Sequence, residues 1–521
     1  MLLKRIVGCI FLLSLFDPIT CAKILGVFMG LGRNHYALGK SFMLNLVEAG
    51  HSCVLISRYC DERNNGRNYR EVNIRGDEHS DTLFKATRED NHNTLYAMHR
   101  IYNNSKSIIP KVFGDSQVQQ LLNETFDLVI IEEVFVDALK VFAWHFKAHL
   151  IVFHPHRSNF WVNDNMGNPC LPAYISEYPS TFGVAKNFIE RVENVMLYVL
   201  QVVFKEFVYL KEHSEISQKY FPSSPQLSDI VYNTSLAFMN SDISIHQSVP
   251  TLPNMIDIGG FHIKNPKPLP IDVLKFCNNS TKGVVFIDMD FVTSSYMHEN
   301  IRNSMMNVLS KLHYNVLWIW DEMNFPNKPS NLMLQYTLPL GDVLAHPNIK
   351  LFIHLGNMKD IIESVFYGVP QLLIPVLDDQ LYDTAQAQYY GYAKLLPYSK
   401  LNEKSFHSAV EEILNNTKYT EESQRRSKIL KEKPISSKKI VAFWIDNVLR
   451  TNGASYMRAS SLDYPWYQLY LIDVLGMFFG IILIVILLLK MVINFICRIC
   501  CRCKRKKDVN RSAYSLTSIA E

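Results

Sequence analysis

The stretch 352–396, FIHLGNMKDIIESVFYGVPQLLIPVLDDQLYDTAQAQYYGYAKLL, packs strand, helix, strand and turn signals into a few dozen residues. It opens inside the apolar run Lys350–His354, which reads as a buried strand. Lys359–Tyr367 follows as a helix and stops at Gly368-Val-Pro370. A second apolar run, Gln371–Pro375, leads into a turn at Asp379-Gln380. Strands alternating with helices at this spacing pair in parallel, through right-handed crossovers.

The same alternation extends outward. Lys23–Met29 reads as a strand, Leu38, Phe42, Leu46 and Val47 sit at helical spacing, and Ser52–Ser57 is again a strand. Leu128–Ile131, Gly283–Ile287 and Asn315–Trp320 repeat the pattern. A body of about 440 residues is too long for one core and suits two domains. Asn265-Pro-Lys-Pro-Leu-Pro270 is the linker, because three prolines neither extend a sheet nor continue a helix. The expectation is an α/β body of two facing doubly wound parallel-sheet domains, 23–264 and 271–460. A ligand belongs in the cleft at the carboxyl ends of their strands.

The ends carry their own signals. Residues 1–22 place Lys4 and Arg5 before the apolar run Ile6–Phe16 and close on Cys21-Ala22, as a signal peptide does. Residues 474–496 are apolar over about 23 positions, enough to span a bilayer core. Arg498, Arg502 and Lys504–Lys507 follow at once, so the tail 497–521 is expected in the cytosol and the body in the lumen of the secretory pathway. Tyr464, Trp466, Tyr467 and Tyr470 suit the membrane interface. Cys497, Cys500, Cys501 and Cys503 read as juxtamembrane acylation sites rather than zinc ligands, and no metal is expected. Cys53, Cys60, Cys170 and Cys277 leave room for one or two disulfides of open pairing. Sequons at Asn103, Asn123, Asn233, Asn278, Asn279 and Asn415 fit a lumenal glycoprotein. A net charge of +4, much of it in the tail, gives no ground for a nucleic-acid partner.

The quoted stretch resembles the donor-binding signature of the UDP-glycosyltransferase family, whose membrane-anchored animal members include the UDP-glucuronosyltransferases. Gly32-Arg-Asn-His35 with Gly50-His51 is similar to the family's first βα unit, and Gly167-Asn-Pro169 with Pro172-Ala-Tyr174 to an acceptor loop. Met255–Gly260 resembles the close of the first domain, and Leu344-Ala-His-Pro347 the lead-in to the signature. The resemblance implies a GT-B fold with a UDP-sugar on the C-terminal domain and a small lipophilic acceptor on the N-terminal one. It implies no cofactor, an inverting displacement, and an endoplasmic-reticulum membrane address. His35 falls on the histidine that deprotonates the acceptor hydroxyl. Glu132 falls on the acid that orients it, with Glu133 as the fallback. A structural hydrogen bond for His35 and a plain strand-end carboxylate at position 132 are the bland alternatives.

On the donor half the resemblance carries over unevenly. Glu363 matches the ribose contact, Asp379 and Gln380 the sugar contacts, and Gly356 a glycine of the phosphate-binding His-Gly-Gly. The family's Gly-Ser pair is Asp290-Phe291 here, and its W-x-P-Q is Thr337-Leu338-Pro339-Leu340. Leu355 and Asn357 replace the outer residues of His-Gly-Gly, and His354 lies one place early, facing the opposite way on a strand. Asp383 stands where D-Q-x-x-N ends in asparagine. A lost aromatic stack is worth about 1–3 kcal/mol per base. Asp290 and Asp360 near a diphosphate each repel it by about 1–4 kcal/mol, partly offset by Lys359. Two readings follow: a glycosyltransferase with a rebuilt donor site, or a silent relative that binds an apolar ligand or pairs, in a homo- or hetero-oligomer, with active members. Asp379 and Gln380 serve equally as sugar contacts or as a helix cap and its neighbour.

Overall fold

A computed structural model of the chain describes residues 21–30, 32–61, 65–74, 94–178, 180, 182–290, 297–322, 328–376 and 378–517. The leader expected at 1–22 lies outside these, Cys21 and Ala22 excepted, and Phe291 lies outside them as well.

Two all-parallel sheets form the body. The first joins β1 (Lys23–Phe28), β2 (Ser52–Ser57), β3 (Tyr69–Asn73), β4 (Leu128–Glu132), β5 (His149–His154), β6 (Leu236–Met239) and β7 (Met255–Asp257) in the order β3-β2-β1-β4-β5-β6-β7. The second joins β8 (Val284–Asp288), β9 (Asn315–Ile319), β10 (Leu332–Gln335), β11 (Ile349–His354), β12 (Gln371–Leu373) and β13 (Ala393–Leu395) in the order β10-β9-β8-β11-β12-β13. Every position of β4 is buried, as befits strands covered by helices on both faces. In each sheet the order reverses beside the earliest strand, and a crevice opens where the chain leaves β1 and β4, or β8 and β11. The doubly wound arrangement read from the alternation is therefore the one found.

The deciding stretch folds as it reads. β11 is followed by the helix Met358–Tyr367, which ends with Gly368 in the left-handed region at φ 72°. β12 follows, and the turn after it runs on into the helix Asp378–Tyr389.

After the linker, the helix Ile271–Asn278 starts directly behind Pro270. The chain then crosses between lobes a second time. The helix Thr417–Lys431 packs on the second lobe, but Val441, Ile445 and Val448 of the helix Ser437–Arg450 join Ile24, Phe42 and Leu46 in the core of the first. The second crossing is tied to the first lobe. Lys433 Nζ lies 2.5 Å from Asp242 Oδ2, and Ser437 Oγ donates to the Gly259 carbonyl at 2.8 Å.

One helix of the first lobe is turned inside out. Phe188–Phe204 buries Asn194, Leu197 and Gln201 and exposes Phe188, Ile189, Met196 and Val199. Of the inward amides, Asn194 donates to the Pro172 and Ile175 carbonyls at 2.6 Å, and Gln201 donates to Glu177 while its Oε1 has no partner among the described residues.

Residues 459–521 form a separate unit. Within its helix Ile472–Thr517, the 28 residues Ile472–Ile499 are long and apolar enough to cross a membrane, at about 42 Å of axial rise. They contain the span expected at 474–496. Cys53, Cys60, Cys170 and Cys277 are all free thiols, so no disulfide joins them.

Candidate functional site

His35 enters the cleft from the first turn of the helix Arg33–Glu48, just past β1. Glu132 closes β4, the strand beside β1. His35 Nδ1 and Glu132 Oε1 lie 2.6 Å apart, and Glu132 Oε2 accepts from the Gly30 amide at 2.8 Å. Both carboxylate oxygens are thus committed, and the fully buried group holds the ring in one orientation. Gly30 is required there, since a Cβ would come within 2.1 Å of His35 Nδ1.

Glu133, the fallback acid, lies elsewhere. Neighbouring residues at a strand end face opposite ways. Its carboxylate meets Lys140 Nζ at 2.8 Å and Asn165 at 3.2 Å. Asp137 completes that buried cluster, 2.7 Å from Lys140. Burial, with Asp137 close by, pushes Glu133 up to about 7.

The opposite wall comes from the second lobe. Asn34, His35, His156, Gly356, Lys359, Gln380 and Asp383 are among the residues lining a cavity of about 20 Å³ at the junction, room for about one water. Gly356 has φ +89°, and a Cβ on it would sit 2.2 Å from Thr384 Cγ2. Leu355 is buried in the second sheet's core rather than in the cleft. His354 is buried too: Nε2 pairs with Gln371 at 3.0 Å, Nδ1 accepts from the Gly356 amide, and the ring stacks on Phe352. Burial pushes its imidazole down to about 4. Gln380 accepts from the Val376 amide at 2.9 Å and donates to Asn357 at 3.0 Å. Asp379 lies in the first turn of the same helix, with its side chain outside the described residues. Thr337 is exposed and Leu340 partly buried, and the exposed aromatic of this segment is Tyr336, one place before Thr337.

Charge on this wall is internally matched. Lys359 Nζ lies 2.8 Å from Glu363 and 3.2 Å from Asp360. Burial alone would lower this ammonium, but the two carboxylates outweigh it and hold it above its usual range. Asp360 lies in the first turn of Met358–Tyr367, so a protein carboxylate already uses the positive end of that helix. Burial, reinforced by Asp360 and then Asp288, pushes Asp290 up to about 7. Burial and Asp360 push Asp288 up to about 6.

A pair that the sequence reading missed joins the lobes here: His156 Nδ1 lies 2.6 Å from Asp383 Oδ2. Nothing in the local pattern around either residue announces it.

A family model described as "UDP-glucoronosyl and UDP-glucosyl transferase" matches residues 24–507. The chain is 30% identical to "UDP-glycosyltransferase UGT5" of Dactylopius coccus over 91% of this chain and 93% of that one. It is 25% identical to "UDP-glucuronosyltransferase 3A2" of Mus musculus, over 89% and 91% of the two chains. Among solved structures, a Polygonum tinctorium UDP-glucosyltransferase superposes with a TM-score of 0.55 at 11% identity, covering 82% of this chain and 99% of that one. That likeness carries the GT-B fold alone.

Proposed function

The chain belongs to the UDP-glucoronosyl and UDP-glucosyl transferase family, and from that premise we propose that it transfers a hexosyl or glucuronosyl group from a UDP-sugar to a hydroxyl of a small lipophilic acceptor. The observation that carries this reading is the His35–Glu132 pair, buried at its back and open to the cleft between the lobes. With Nδ1–H donated to Glu132, the other ring nitrogen is basic. It takes the acceptor proton as the acceptor oxygen bonds to the anomeric carbon, and the bond from that carbon to the UDP oxygen breaks. One displacement inverts the anomeric centre. The turn Gly356–Lys359 faces the diphosphate, Glu363 the ribose, and Asp379 with Gln380 the sugar. No cofactor takes part. The protein works as a single-pass membrane protein of the endoplasmic reticulum, with its body lumenal. The exposure of all six sequon asparagines is consistent with a glycosylated body.

The test is release of UDP from UDP-glucose and UDP-glucuronate by the full-length protein over a panel of phenols and lipophilic alcohols. Transfer that disappears in His35→Ala supports the reading. Transfer that persists unchanged in that variant removes the base.

A second reading has its own observation. Lys359 is already paired with Asp360 and Glu363, and Asp290 sits beside them, so the donor wall is charge-matched without a nucleotide. A silent member that binds an apolar ligand, or partners active relatives, needs nothing more. Absence of UDP binding at millimolar concentration favours it.

A further inference from the structure

His156 lies two residues past the end of β5, in the first lobe, and Asp383 stands on the helix Asp378–Tyr389 of the second. They are 227 residues apart in sequence and 2.6 Å apart in space, so neither lobe makes the pair alone. The Asp383 side chain is 1% exposed, the imidazole 16%. Asp383 Oδ1 has no hydrogen-bond partner among the described residues. A buried carboxylate with an unmet oxygen is costly, and an asparagine, the family's residue here, would avoid the charge. The ring it holds is what the charge provides.

Beside His156 stands Arg157, whose Nε is buried without a hydrogen-bond partner among the described residues. Arg157 donates to Ser176 Oγ at 3.0 Å and lies over the Tyr382 ring at 4.1 Å. His154, with its ring 5.8 Å from that of His156, is pushed down to about 3 by burial, and His246 is pushed well below its usual value by burial too. Neither is a cation near neutrality. Of these three imidazoles, His156 is the one that lines the cleft. It lines the same cavity as Gly356, Asn357, Met358 and Lys359, the approach to the helix that takes the phosphates in the reading above. That approach has lost its own histidine, because Leu355 is in the core and His354 is bonded inside the sheet.

We propose that His156, oriented by Asp383, is an anion-binding residue for the nucleotide-sugar, supplied by the first lobe in place of the imidazole missing from the second. Asp383 is its positioning residue. The ligand is an anionic oxygen of the donor, on the diphosphate or on a carboxylate carried by the sugar. Set between Asp383 and such an oxygen, the ring is held as the imidazolium and donates from both nitrogens. The inference rests on the donor-binding reading given above.

The test is titration calorimetry of the full-length protein in detergent with uridine, UDP, UDP-glucose and UDP-glucuronate. In His156→Ala, UDP affinity is expected to fall about 10- to 100-fold while uridine affinity stays as it was. A loss seen only with UDP-glucuronate assigns the anion to the sugar carboxylate instead. Asp383→Asn should give a smaller loss with the same ligand pattern. If the alanine variant unfolds, His156→Gln carries the same comparison. Equal losses for uridine and UDP mean a structural role and overturn the proposal, as does unchanged binding of every ligand. If the wild-type protein binds none of them, the donor-binding reading falls with it. If the wild type binds and His156→Ala matches it, only the present inference falls.

Discussion

Asn34 of the first lobe donates its side-chain amide to Oδ2 of Asp290 in the second, at 3.1 Å. Asp290 has φ +47°, a left-handed conformation at the position where the family has a glycine. The backbone here has a geometry that glycine adopts most readily, while the side chain bonds to the opposite lobe. The residue next to His35 is thereby fastened to the donor wall.

This aspartate makes stability depend on pH. Its folded value of about 7 stands above the ordinary 3.8, so the folded state keeps a proton that the unfolded chain releases. Its contribution is fully present below about pH 4 and is lost as pH rises through about 7. Asp290→Asn should flatten that slope, with a relative gain on the order of 4 kcal/mol at about pH 8 and none at about pH 4. Melting temperatures of the two proteins across that range decide it. Equal slopes would mean that Asp290 is ionised throughout.

Glu132 and Glu133 should separate cleanly. Glu132→Gln leaves the fold intact and lowers kcat by about 10- to 100-fold, because the ring loses its anionic partner. Glu133→Gln weakens the Lys140 cluster and lowers stability by about 3 kcal/mol, with kcat per folded molecule unchanged. Chemical denaturation and steady-state kinetics on both variants provide the check. A Glu133 variant that is stable but inactive would reverse the assignment.

Gly356→Ala forces a Cβ against Thr384 Cγ2 on a backbone at φ +89°. A cost of about 2–4 kcal/mol is expected. Adding Thr384→Ser removes the methyl and should return the steric share, leaving the backbone share. A double-mutant cycle by thermal unfolding measures the coupling, and a coupling of zero would show that the clash is not what constrains this glycine.

The inverted helix predicts the reverse of ordinary amphipathic behaviour. Asn194→Leu, an apolar replacement at a buried position, should cost about 2–4 kcal/mol, since it strips partners from the Pro172 and Ile175 carbonyls. Phe188→Gln, removing a large apolar side chain that is 68% exposed, should change stability by less than about 0.5 kcal/mol. Urea unfolding of the two variants tests the orientation directly.

The parts that sequence could reach are those written in local order. Alternating runs gave two parallel-sheet α/β domains, and the Gly32–His35 motif led to a histidine that does meet Glu132. The choice between Glu132 and Glu133 needed the strand's facing, which pattern alone left open. His156 and Asp383 were out of reach, because their contact exists only when two lobes dock. Lys359 was read as an offset to Asp360, but its closer partner is Glu363, one helical turn on. The return of Ser437–Arg450 to the first lobe was equally hidden, since its apolar stripe would suit either sheet.

That return has a mechanical consequence. Because the polypeptide passes between the halves twice, and Lys433 and Ser437 fasten the second passage to Asp242 and Gly259 of the first lobe, the body is built like a book with a stitched spine. Its covers share that one edge. His156–Asp383 and Asn34–Asp290 both reach from one cover to the other, so a single swing must unfasten both clasps.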